Sequence, residues 1–372
     1  MKLLYIFYAK AQSGNWKKAS FTQVVSMCNA LCEIPGAEVF LAIPDHLTES
    51  FQGDYKFNVK QYSPFLRNQK LNRFMNYFAV KKLIRRVQPE YVLSRDPVLL
   101  LPAAGSQAGI IFESHNYLLH NGSKLINLAL RTILKRMVKL NNFRLFITIS
   151  EALAEFWISR GIDKDLILAL HDGFSVKMFR ELPDPEKARV YLEFPINKKI
   201  IMYVGSLYAD REIENILNLA RDFPMALFVI VGGPDNVADS IRTDLEARHA
   251  SNVILTGSIP HEKVPVYLAS ADILLALWSR QVKTINYCSP LKLFEYMASG
   301  KVIIAHSFPT IREVLVHEKT GLLVDPDSYQ DLKQQVSGAL NENHAATGEN
   351  ARREAFEKYS WDQRVARIME RI

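Results

Sequence analysis

Short apolar runs alternate with amphipathic stretches of helical length along the whole chain. The apolar runs have the length of buried strands, and most of the segments between them are long enough to form a helix. That alternation predicts parallel β-sheets covered by helices on both faces. The predicted strands are 2–8, 38–43, 91–94, 109–113, 144–150 and 166–170 in the first half, and 199–204, 226–231, 253–257, 272–277, 302–305 and 321–324 in the second.

A polar segment near mid-chain, 180–198, separates the two sets of strands and predicts a linker. We therefore expect an N-terminal domain over 1–180 and a C-terminal domain over 181–350, followed in 351–372 by a helix that crosses back to the first domain. The predicted fold class is α/β, with two Rossmann-like, doubly wound parallel sheets that face each other across a cleft. Such sheets bind ligands beyond the carboxyl ends of their strands.

Charge is distributed unevenly between the two halves. Residues 1–180 carry 24 Lys and Arg against 13 Asp and Glu, whereas the remaining residues carry 22 against 26. The excess is concentrated in two predicted helices, near 67–87 and 124–144, each with an apolar face. Two interpretations stay open: the helices pack on the core with solvated cations, or they also bind an anionic membrane surface. The apolar positions are Leu71, Phe74, Met75, Phe78, Leu83, Ile84 and Val87 in the first helix, and Ile126, Leu130, Ile133, Leu134, Met137 and Val138 in the second.

Composition narrows the classes of function. The 372 residues are 48% hydrophobic, which is typical of a folded chain rather than a disordered one. Three cysteines without metal-ligand spacing argue against a disulfide framework and favour a reducing compartment, so we expect a cytoplasmic protein. No apolar run is long enough to span a membrane, and neither a P-loop nor a GxGxxG sequence occurs. Motifs for binding nucleic acid are also absent, so no such partner is expected.

One segment of the second half has the features of a phosphate-binding helix. Ser289 and Pro290 are typical of a helix start, and Gly300 is typical of a helix end. The free N–H groups at such a start attract anions, and Lys292 adds a cation where the helix dipole disfavours one. Glu295 lies about 7.5 Å further along the axis, where its carboxylate can accept two hydrogen bonds from a ribose diol. Together these residues predict a nucleotide site.

Three predicted strands of the same half end in glycine turns. The turns lie at Gly205, at Gly232–Gly233 and at Gly257, and Arg211 follows the first of them. Glycine lets the backbone approach a ligand closely, and a guanidinium can bind a phosphate with two hydrogen bonds. Three such turns in one sheet, beside the predicted helix start, outline the same nucleotide site.

The second half resembles the donor domain of GT-B glycosyltransferases of the retaining family 4 type. The matching segments are 203–207, 231–233, 254–257, 271–273, 289–298, 321–324 and 359–361. In the first half, 112–116 resembles the acceptor-domain segment that places a histidine, here His115, near the donor sugar. The resemblance spans nearly the whole chain and is most specific from 200 to 325.

The resemblance implies roles for single residues. Glu295 matches the family's second conserved-motif glutamate, which binds the ribose, and Tyr287 stands where the first glutamate, which often contacts the hexose, is expected. Arg211 stands at the usual lysine, and with Lys292 it would stabilise the leaving diphosphate. His115, Arg211, Lys292 and Glu295 are the predicted catalytic residues. The predicted donor-binding residues are Gly14, Gly205, Ser206, Arg211, Gly232, Gly233, Ser258, Ile259, Tyr287, Ser289, Pro290, Leu291, Lys292 and Glu295.

The implied activity is transfer of a sugar, with retention, from a nucleoside-diphosphate sugar to a saccharide, lipid-linked or other acceptor. A UDP-sugar is the default donor, and the implied setting is the synthesis of cell-surface polysaccharide or glycoconjugate, in the cytoplasm or peripherally at the inner face of a membrane. Neither a resident cofactor nor a metal ion is expected. Two alternatives remain: a non-hydrolysing sugar-nucleotide epimerase, which needs no acceptor, and a catalytically weak sugar-nucleotide-binding protein.

Overall fold

A computed structural model describes residues 1–8, 19–45, 47, 55–63, 69–119, 123–247 and 251–372. The chain divides into two compact units. The first unit consists of Met1–Asp172, Tyr287–Ser289 and Trp361–Ile372, and the second unit consists of Gly173–Asn286 and Pro290–Ser360. Each unit contains its own parallel sheet, which confirms the predicted α/β class with two Rossmann-like domains.

The elements within the described residues follow one another in the alternation that the sequence predicts. The strands are β1 (Lys2–Ile6), β2 (Glu38–Pro44), β3 (Asn58–Tyr62), β4 (Tyr91–Ser94), β5 (Gly109–Ser114), β6 (Phe143–Thr148), β7 (Ile167–Ala169), β8 (Ile200–Val204), β9 (Leu227–Val231), β10 (Val253–Gly257), β11 (Ile273–Ala276), β12 (Val302–His306) and β13 (Leu322–Val324). The helices are α1 (Ala19–Cys32), α2 (Gln69–Val87), α3 (Pro97–Leu100), α4 (Lys124–Met137), α5 (Glu151–Ser159), α6 (Val176–Phe179), α7 (Pro185–Tyr191), α8 (Ile213–Asp222), α9 (Asp235–Ala247), α10 (Val264–Ser270), α11 (Leu291–Ser299), α12 (Pro309–Arg312), α13 (Tyr329–Asn341), α14 (Ala345–Lys358) and α15 (Trp361–Met369).

The sheet of the first unit has the strand order β3-β2-β1-β4-β5-β6-β7. β1 pairs in parallel with β2 and β4, so that Leu4 lies opposite both Phe40 and Val92. Residues Leu3 to Ile6 are almost fully buried, as expected for a strand covered on both faces. The strand order reverses between β1 and β4, and doubly wound sheets bind ligands at the carboxyl ends of the strands at such a point.

The sheet of the second unit has the strand order β10-β9-β8-β11-β12-β13. β8 pairs in parallel with β9 and β11, so the order reverses between β8 and β11. Apolar side chains of β8, β9, β11 and β12 join those of α8 in one buried cluster. The carboxyl end of β8 is therefore the expected place for a ligand of this unit.

All predicted strands form, with ends that differ by no more than two residues. The sequence gives no sign of β3, because this edge strand is polar and only Tyr62 is buried in it. A strand at the edge of a sheet needs no continuous apolar run, so hydrophobic patterning does not find it.

The predicted linker at 180–198 is wrong. This segment contains α7, whose first turn is capped by the Asp184 carboxylate. Arg189 of α7 is buried, with its Nε donating to the Ser270 carbonyl and its Nη2 lying 2.7 Å from Asp272 Oδ2. The charged residues of this segment indicated that it is solvated, but one of them, Arg189, is buried and paired with Asp272 inside the second unit.

Both predicted domain boundaries shift in the structure. The first unit ends at Asp172 rather than at 180, because Phe174 bridges to Ser360 and α6 belongs to the second unit. The C-terminal segment rejoins the first unit at Trp361 rather than at 351, since α14 belongs to the second unit and α15 to the first. α15 packs against α1 within that unit.

The two basic helices are present in the first unit as α2 and α4. α4 ends at Met137, before β6 begins at Phe143, so the predicted extent to 144 is too long; residues 67–68 before α2 lie outside the described residues. Phe78 of α2 is exposed, contrary to its predicted place on the buried face. Within the described ranges, no helix combines the length and the apolar character needed to cross a bilayer.

Candidate active site

The glycine turns at the carboxyl ends of β8, β9 and β10 are joined to one another by backbone hydrogen bonds. The Gly205 N–H donates to the Val231 carbonyl at 2.9 Å, and the Gly232 N–H donates to the Gly257 carbonyl at 2.9 Å. The Leu207 N–H donates to the Gly233 carbonyl at 2.8 Å. The three turns therefore form one continuous rim of the second unit's sheet.

Close contacts disfavour a side chain at two of these positions. A Cβ on Gly232, whose φ is +145°, would lie 1.7 Å from the Gly205 carbonyl oxygen, and a Cβ on Gly233 would lie 2.3 Å from Ser258 Oγ. A side chain at Gly232 would displace the backbone of the neighbouring turn, whereas a side chain at Gly233 would displace the Ser258 side chain. Predicted donor residues Gly205, Gly232, Gly233 and Ser258 thus lie together, and Ile259 follows Ser258 along the chain.

Arg211 is anchored at this rim. Its Nε donates to Ser206 Oγ at 3.2 Å, and its side chain is mostly buried. Nη1 is buried without a hydrogen-bond partner among the described residues, and Asp210 Oδ1 lies 3.4 Å from it outside hydrogen-bond geometry. A buried guanidinium with an unused N–H group is well suited to receive an anion.

Lys292 lies close to the same loop, with its Cδ 3.5 Å from the place of a Cβ on Gly205. Its ammonium group is 4.1 Å from the centre of the Tyr203 ring and 4.5 Å from that of Trp278, so two aromatic faces hold the cation. The Tyr203 hydroxyl donates to the Ser206 carbonyl at 2.7 Å. Tyr203 therefore connects the loop that anchors Arg211 with the cation of Lys292.

α11 carries Lys292 into this position. The helix starts at Leu291, with Pro290 as its N-cap and no side chain capping it, and it ends before Gly300, whose left-handed backbone confirms the predicted helix end. The Val204 N–H donates to Tyr296 Oη at 2.7 Å, which ties α11 to the end of β8. The predicted capping role of Ser289 is wrong, because its hydroxyl is used in the first unit.

Glu295, one turn after Lys292, makes a contact that the sequence did not predict. Its Oε1 lies 2.6 Å from Nε2 of His261, which follows β10. The hydrogen bond with Glu295 raises the pKa of His261. The Glu295 side chain is only 14% exposed, so His261 fixes a carboxylate that has little freedom to point elsewhere.

This pair makes part of the stability depend on pH. Because the pKa of His261 is raised, its contribution to the free energy of unfolding is complete below the unfolded-state pKa of about 6.5. This contribution is lost as pH rises through the folded-state pKa. We expect the melting temperature of the wild type to exceed that of His261→Gln by about 1–2 °C at pH 6, a small difference because His261 is partly exposed. The difference should shrink by pH 9, as differential scanning calorimetry can measure.

His344→Gln is the matched control for this prediction, since His344 lies 3.7 Å from Glu342 without a short contact. A gap between wild type and His261→Gln that does not change with pH would contradict the protonated His261–Glu295 pair.

Tyr287 and Ser289 belong to the first unit rather than to the second unit. The Tyr287 hydroxyl donates to Asn116 Oδ1 at 2.9 Å, and its ring centre lies 3.9 Å from that of Tyr117. Ser289 Oγ accepts a hydrogen bond from the Asp172 N–H at 2.7 Å. Burial raises the pKa of Tyr287 to about 12. Tyr287 thus packs as an aromatic anchor at the position where the family resemblance places a carboxylate.

A glutamate at position 287 should destabilise the first unit. Tyr287 is 5% exposed within an apolar cluster, so Tyr287→Glu buries a carboxyl group without a prepared partner. We expect a loss of about 2–3 kcal/mol in the free energy of unfolding, whereas Tyr287→Phe, which removes one hydrogen bond, should lose about 1 kcal/mol. Urea denaturation measures both, with Tyr191→Glu on an exposed site as the control. Equal stability of Tyr287→Glu and Tyr191→Glu would contradict the buried position.

His115 lies at the carboxyl end of β5, next to a buried ionic cluster. Its Nε2 is 3.2 Å from Oε1 of Glu113, a carboxylate that is only 2% exposed. Arg364 of α15 lies 2.6 Å from the same oxygen through Nη2, and Arg95 Nε donates to Oε2 at 3.2 Å. The Tyr5 hydroxyl also donates to Oε2, at 2.9 Å. Four side chains from four separate segments of the chain therefore converge on one carboxylate.

The charges in this cluster determine its protonation. Burial alone would raise the pKa of Glu113, but the guanidinium groups of Arg95 and Arg364 and a hydrogen bond with His115 together hold it well below its usual range. Burial and the neighbouring Arg95 lower the pKa of His115. Glu113 is therefore an anion and His115 a neutral imidazole at pH 7.

The structure brings the predicted residues together in two sets. Gly14 lies outside the described residues. In the first unit are His115, Tyr287 and Ser289, and in the second unit are Gly205, Ser206, Arg211, Gly232, Gly233, Ser258, Ile259, Pro290, Leu291, Lys292 and Glu295.

Sequence reasoning missed several residues that hold these sets in place. Glu113 stands directly after a buried apolar run, and a carboxylate at such a position needs a cationic partner, so this signal was available. His261, Arg95 and Arg364 had no comparable signal, because their partners are far away in the chain.

Two protein-family models match the chain. The model described as glycosyl transferases group 1 matches residues 184–359, and the model described as glycosyltransferase family 4 matches residues 21–177. The chain belongs to the group 1 glycosyltransferases of the GT-B fold. All candidate residues of this glycosyltransferase except Gly14 lie inside the matched ranges.

Individual relatives are distant. HepE from Anabaena, solved in complex with UDP and glucose, has 18% sequence identity and a TM-score of 0.70 over the full length of both chains, which shows a shared fold. An uncharacterized glycosyltransferase of Methanocaldococcus jannaschii is 23% identical over 61% of this chain and 58% of that protein. A GDP-mannose-dependent alpha-(1-6)-phosphatidylinositol monomannoside mannosyltransferase of Mycolicibacterium smegmatis is 25% identical over 51% of this chain and 52% of that protein. The chain thus spans little more than half the length of these two curated relatives.

Proposed function

We propose that the protein is a retaining glycosyltransferase that transfers a sugar from a nucleoside-diphosphate sugar to an acceptor hydroxyl. The observation that carries the proposal is the position of Arg211, Lys292 and Glu295 around the glycine turns of the second unit. A diphosphate is recognised by cations and N–H groups, and a ribose diol is recognised by a carboxylate. One loop and one helix turn of the second unit carry both the cations for the diphosphate and the carboxylate for the ribose.

Charge stabilisation is the main catalytic contribution in this proposal. Cleavage of the bond between the anomeric carbon and the diphosphate leaves negative charge on the phosphate oxygens. Arg211 and Lys292 would stabilise that charge without a metal ion. Phosphate binding would also give the buried Nη1 of Arg211 a hydrogen-bond partner, which removes the cost of an unsatisfied buried donor.

Retention is proposed to occur on one face of the sugar rather than through a covalent intermediate. A double displacement needs an available carboxylate nucleophile. Glu113, the carboxylate beside His115, is buried and bound by two arginines, which makes it a poor nucleophile. His115 is neutral at pH 7, so it can hydrogen-bond a sugar hydroxyl without adding charge.

Two of the similar proteins favour particular donor bases and acceptors. HepE was solved with UDP, which favours a UDP-sugar, whereas the Mycolicibacterium relative is named for GDP-mannose. That relative is also named for a phosphatidylinositol mannoside, which favours a lipid-linked acceptor in glycoconjugate or polysaccharide synthesis. No disulfide joins the described cysteines, in keeping with a cytoplasmic enzyme that contacts the inner face of a membrane.

A thermal-shift comparison of UDP, GDP and ADP tests the donor half of the proposal. A nucleotide at about 100 times its dissociation constant should add about 2.7 kcal/mol of stability. We expect one base to shift the melting temperature more than the others. No shift with any of the three would contradict a nucleotide-sugar donor.

Proton NMR of the reaction tests the chemistry. With the donor selected above and a panel of acceptors, the product should keep the anomeric configuration of the donor. An inverted product would contradict retention. Conversion of the donor without acceptor would identify an epimerase, and binding without any reaction would identify a weak sugar-nucleotide-binding protein.

A further inference from the structure

The outer face of α4 exposes large apolar side chains to solvent. Leu125 is 79% exposed and Leu128 is 63% exposed, and Leu118, shortly before the helix, is 47% exposed. The core-facing side of the same helix is separate, with Leu130, Leu134 and Met137 buried. The leucines therefore do not belong to the packing that holds α4 on the first unit.

The exposed face combines these leucines with cations. At 100° per residue, Leu125 and Leu128 point to the side of the helix opposite the buried residues. Lys124, Lys135 and Arg136 are exposed on the same side. From Ser114 to Ser150 the chain has six basic residues and no acidic one. The face is thus apolar in its N-terminal half, with cations at both ends.

The leucines and cations on the exposed face of α4 together indicate which kind of partner binds there. Single exposed leucines are ordinary, but adjacent ones with nearby cations favour a partner that is both apolar and anionic. An anionic bilayer has this chemistry, because leucines enter the acyl boundary while Lys and Arg remain at the phosphates. A protein partner would need an acidic rim around an apolar groove to match equally well.

The position of α4 relates the surface to the candidate site. In a parallel α/β sheet, a helix that follows a strand starts at that strand's carboxyl end. α4 follows β5, whose carboxyl end leads directly to His115. Leu118 lies between them in the chain. The exposed leucines are therefore at the ligand-binding edge of the first unit.

We propose that the α4 face formed by Leu125, Leu128, Lys124, Lys135 and Arg136 docks the protein on an anionic bilayer. The acceptor of the transfer is then carried by a lipid and reaches His115 from the membrane surface. This last step rests on the proposed glycosyltransferase function. Docking itself needs neither donor nor acceptor, so it can be tested separately from glycosyl transfer.

Vesicle co-sedimentation of the full chain tests the proposal. The wild type should bind phosphatidylcholine vesicles that contain phosphatidylglycerol, and salt should weaken the binding. Leu125→Ser with Leu128→Ser should reduce the partition coefficient at least tenfold. Lys124→Gln, Lys135→Gln and Arg136→Gln together should reduce it about a hundredfold and remove the preference over pure phosphatidylcholine.

The matched control is Met225→Ser with Val190→Ser, two exposed apolar residues of the second unit that should leave binding unchanged. Circular dichroism and nucleotide binding of each variant verify that it is folded. Wild-type binding by the double leucine variant, or no binding by the wild type, would overturn the proposal. A change in oligomeric state of the leucine variant without a change in vesicle binding would also overturn it, by assigning the face to self-association.

Discussion

Replacing Glu113 by alanine is expected to lower the free energy of unfolding of the first unit by about 3–5 kcal/mol. The carboxylate is buried and lies against Arg95 and Arg364, so its removal takes away the carboxylate that both guanidinium groups contact directly. It also removes the acceptor of the Tyr5 hydroxyl. Hydrogen exchange of the β5 amides, followed by mass spectrometry, measures the change inside this unit.

The same cluster predicts sensitivity to acid. Because the pKa of Glu113 is held well below its usual range, its stabilisation is present above the unfolded-state pKa of about 4.3 and is lost as pH falls through the folded-state value.

Glu38→Ala is the control for the Glu113→Ala substitution, since Glu38 makes an exposed ion pair with Lys2 and its loss should cost about 0.5 kcal/mol or less. Similar protection of β5 in Glu113→Ala and Glu38→Ala would contradict a structural role for the cluster.

Replacing Arg211 by alanine is expected to reduce kcat/KM for sugar transfer about 100–1,000-fold. The guanidinium is anchored on Ser206 beside the glycine turns, and its buried Nη1 is available for a phosphate oxygen. In the proposed reaction it meets charge that develops as the diphosphate leaves, so the loss should appear in kcat as well as in donor affinity.

Two further variants make this prediction specific. Arg211→Lys keeps the charge but loses the planar pair of N–H groups, so we expect a smaller loss of about tenfold. Arg221→Ala removes an exposed arginine from α8 and should leave transfer unchanged. Transfer by Arg211→Ala at the rate of Arg221→Ala would contradict the assignment of Arg211 to the diphosphate.

The fold was largely predictable from hydrophobic patterning, and the exceptions have physical reasons. Buried parallel strands such as β1 and β8 are continuous apolar runs, whereas the edge strand β3 has only one buried residue and gives no such signal. The segment 180–198 was wrongly predicted to be a linker, because the charge of Arg189 is paired with Asp272 inside the second unit. Patterning detects burial of apolar groups but not burial of paired charges.

The candidate site was predictable where it depends on local sequence. Glycine turns and the Lys292–Glu295 spacing on one helix are local features, and the structure places them around one loop of the second unit. The packing of Tyr287 and Ser289 with the first unit could not be predicted, because nothing local shows that residues 287–289 leave the second unit. The Glu113 cluster pairs Glu113 with Arg364, 251 positions away, which no local pattern can reveal.

Calorimetric titration of nucleoside diphosphate into wild type and Glu295→Gln decides whether the second unit is a nucleotide-sugar site. Glu262→Gln is the control, because Glu262 is close in the chain to His261 but is solvent-exposed. With the diphosphate that gives the largest thermal shift, the dissociation constant should rise at least tenfold in Glu295→Gln and remain unchanged in Glu262→Gln. Equal affinity of all three proteins, or no binding to the wild type, would contradict a nucleotide-sugar site at Glu295.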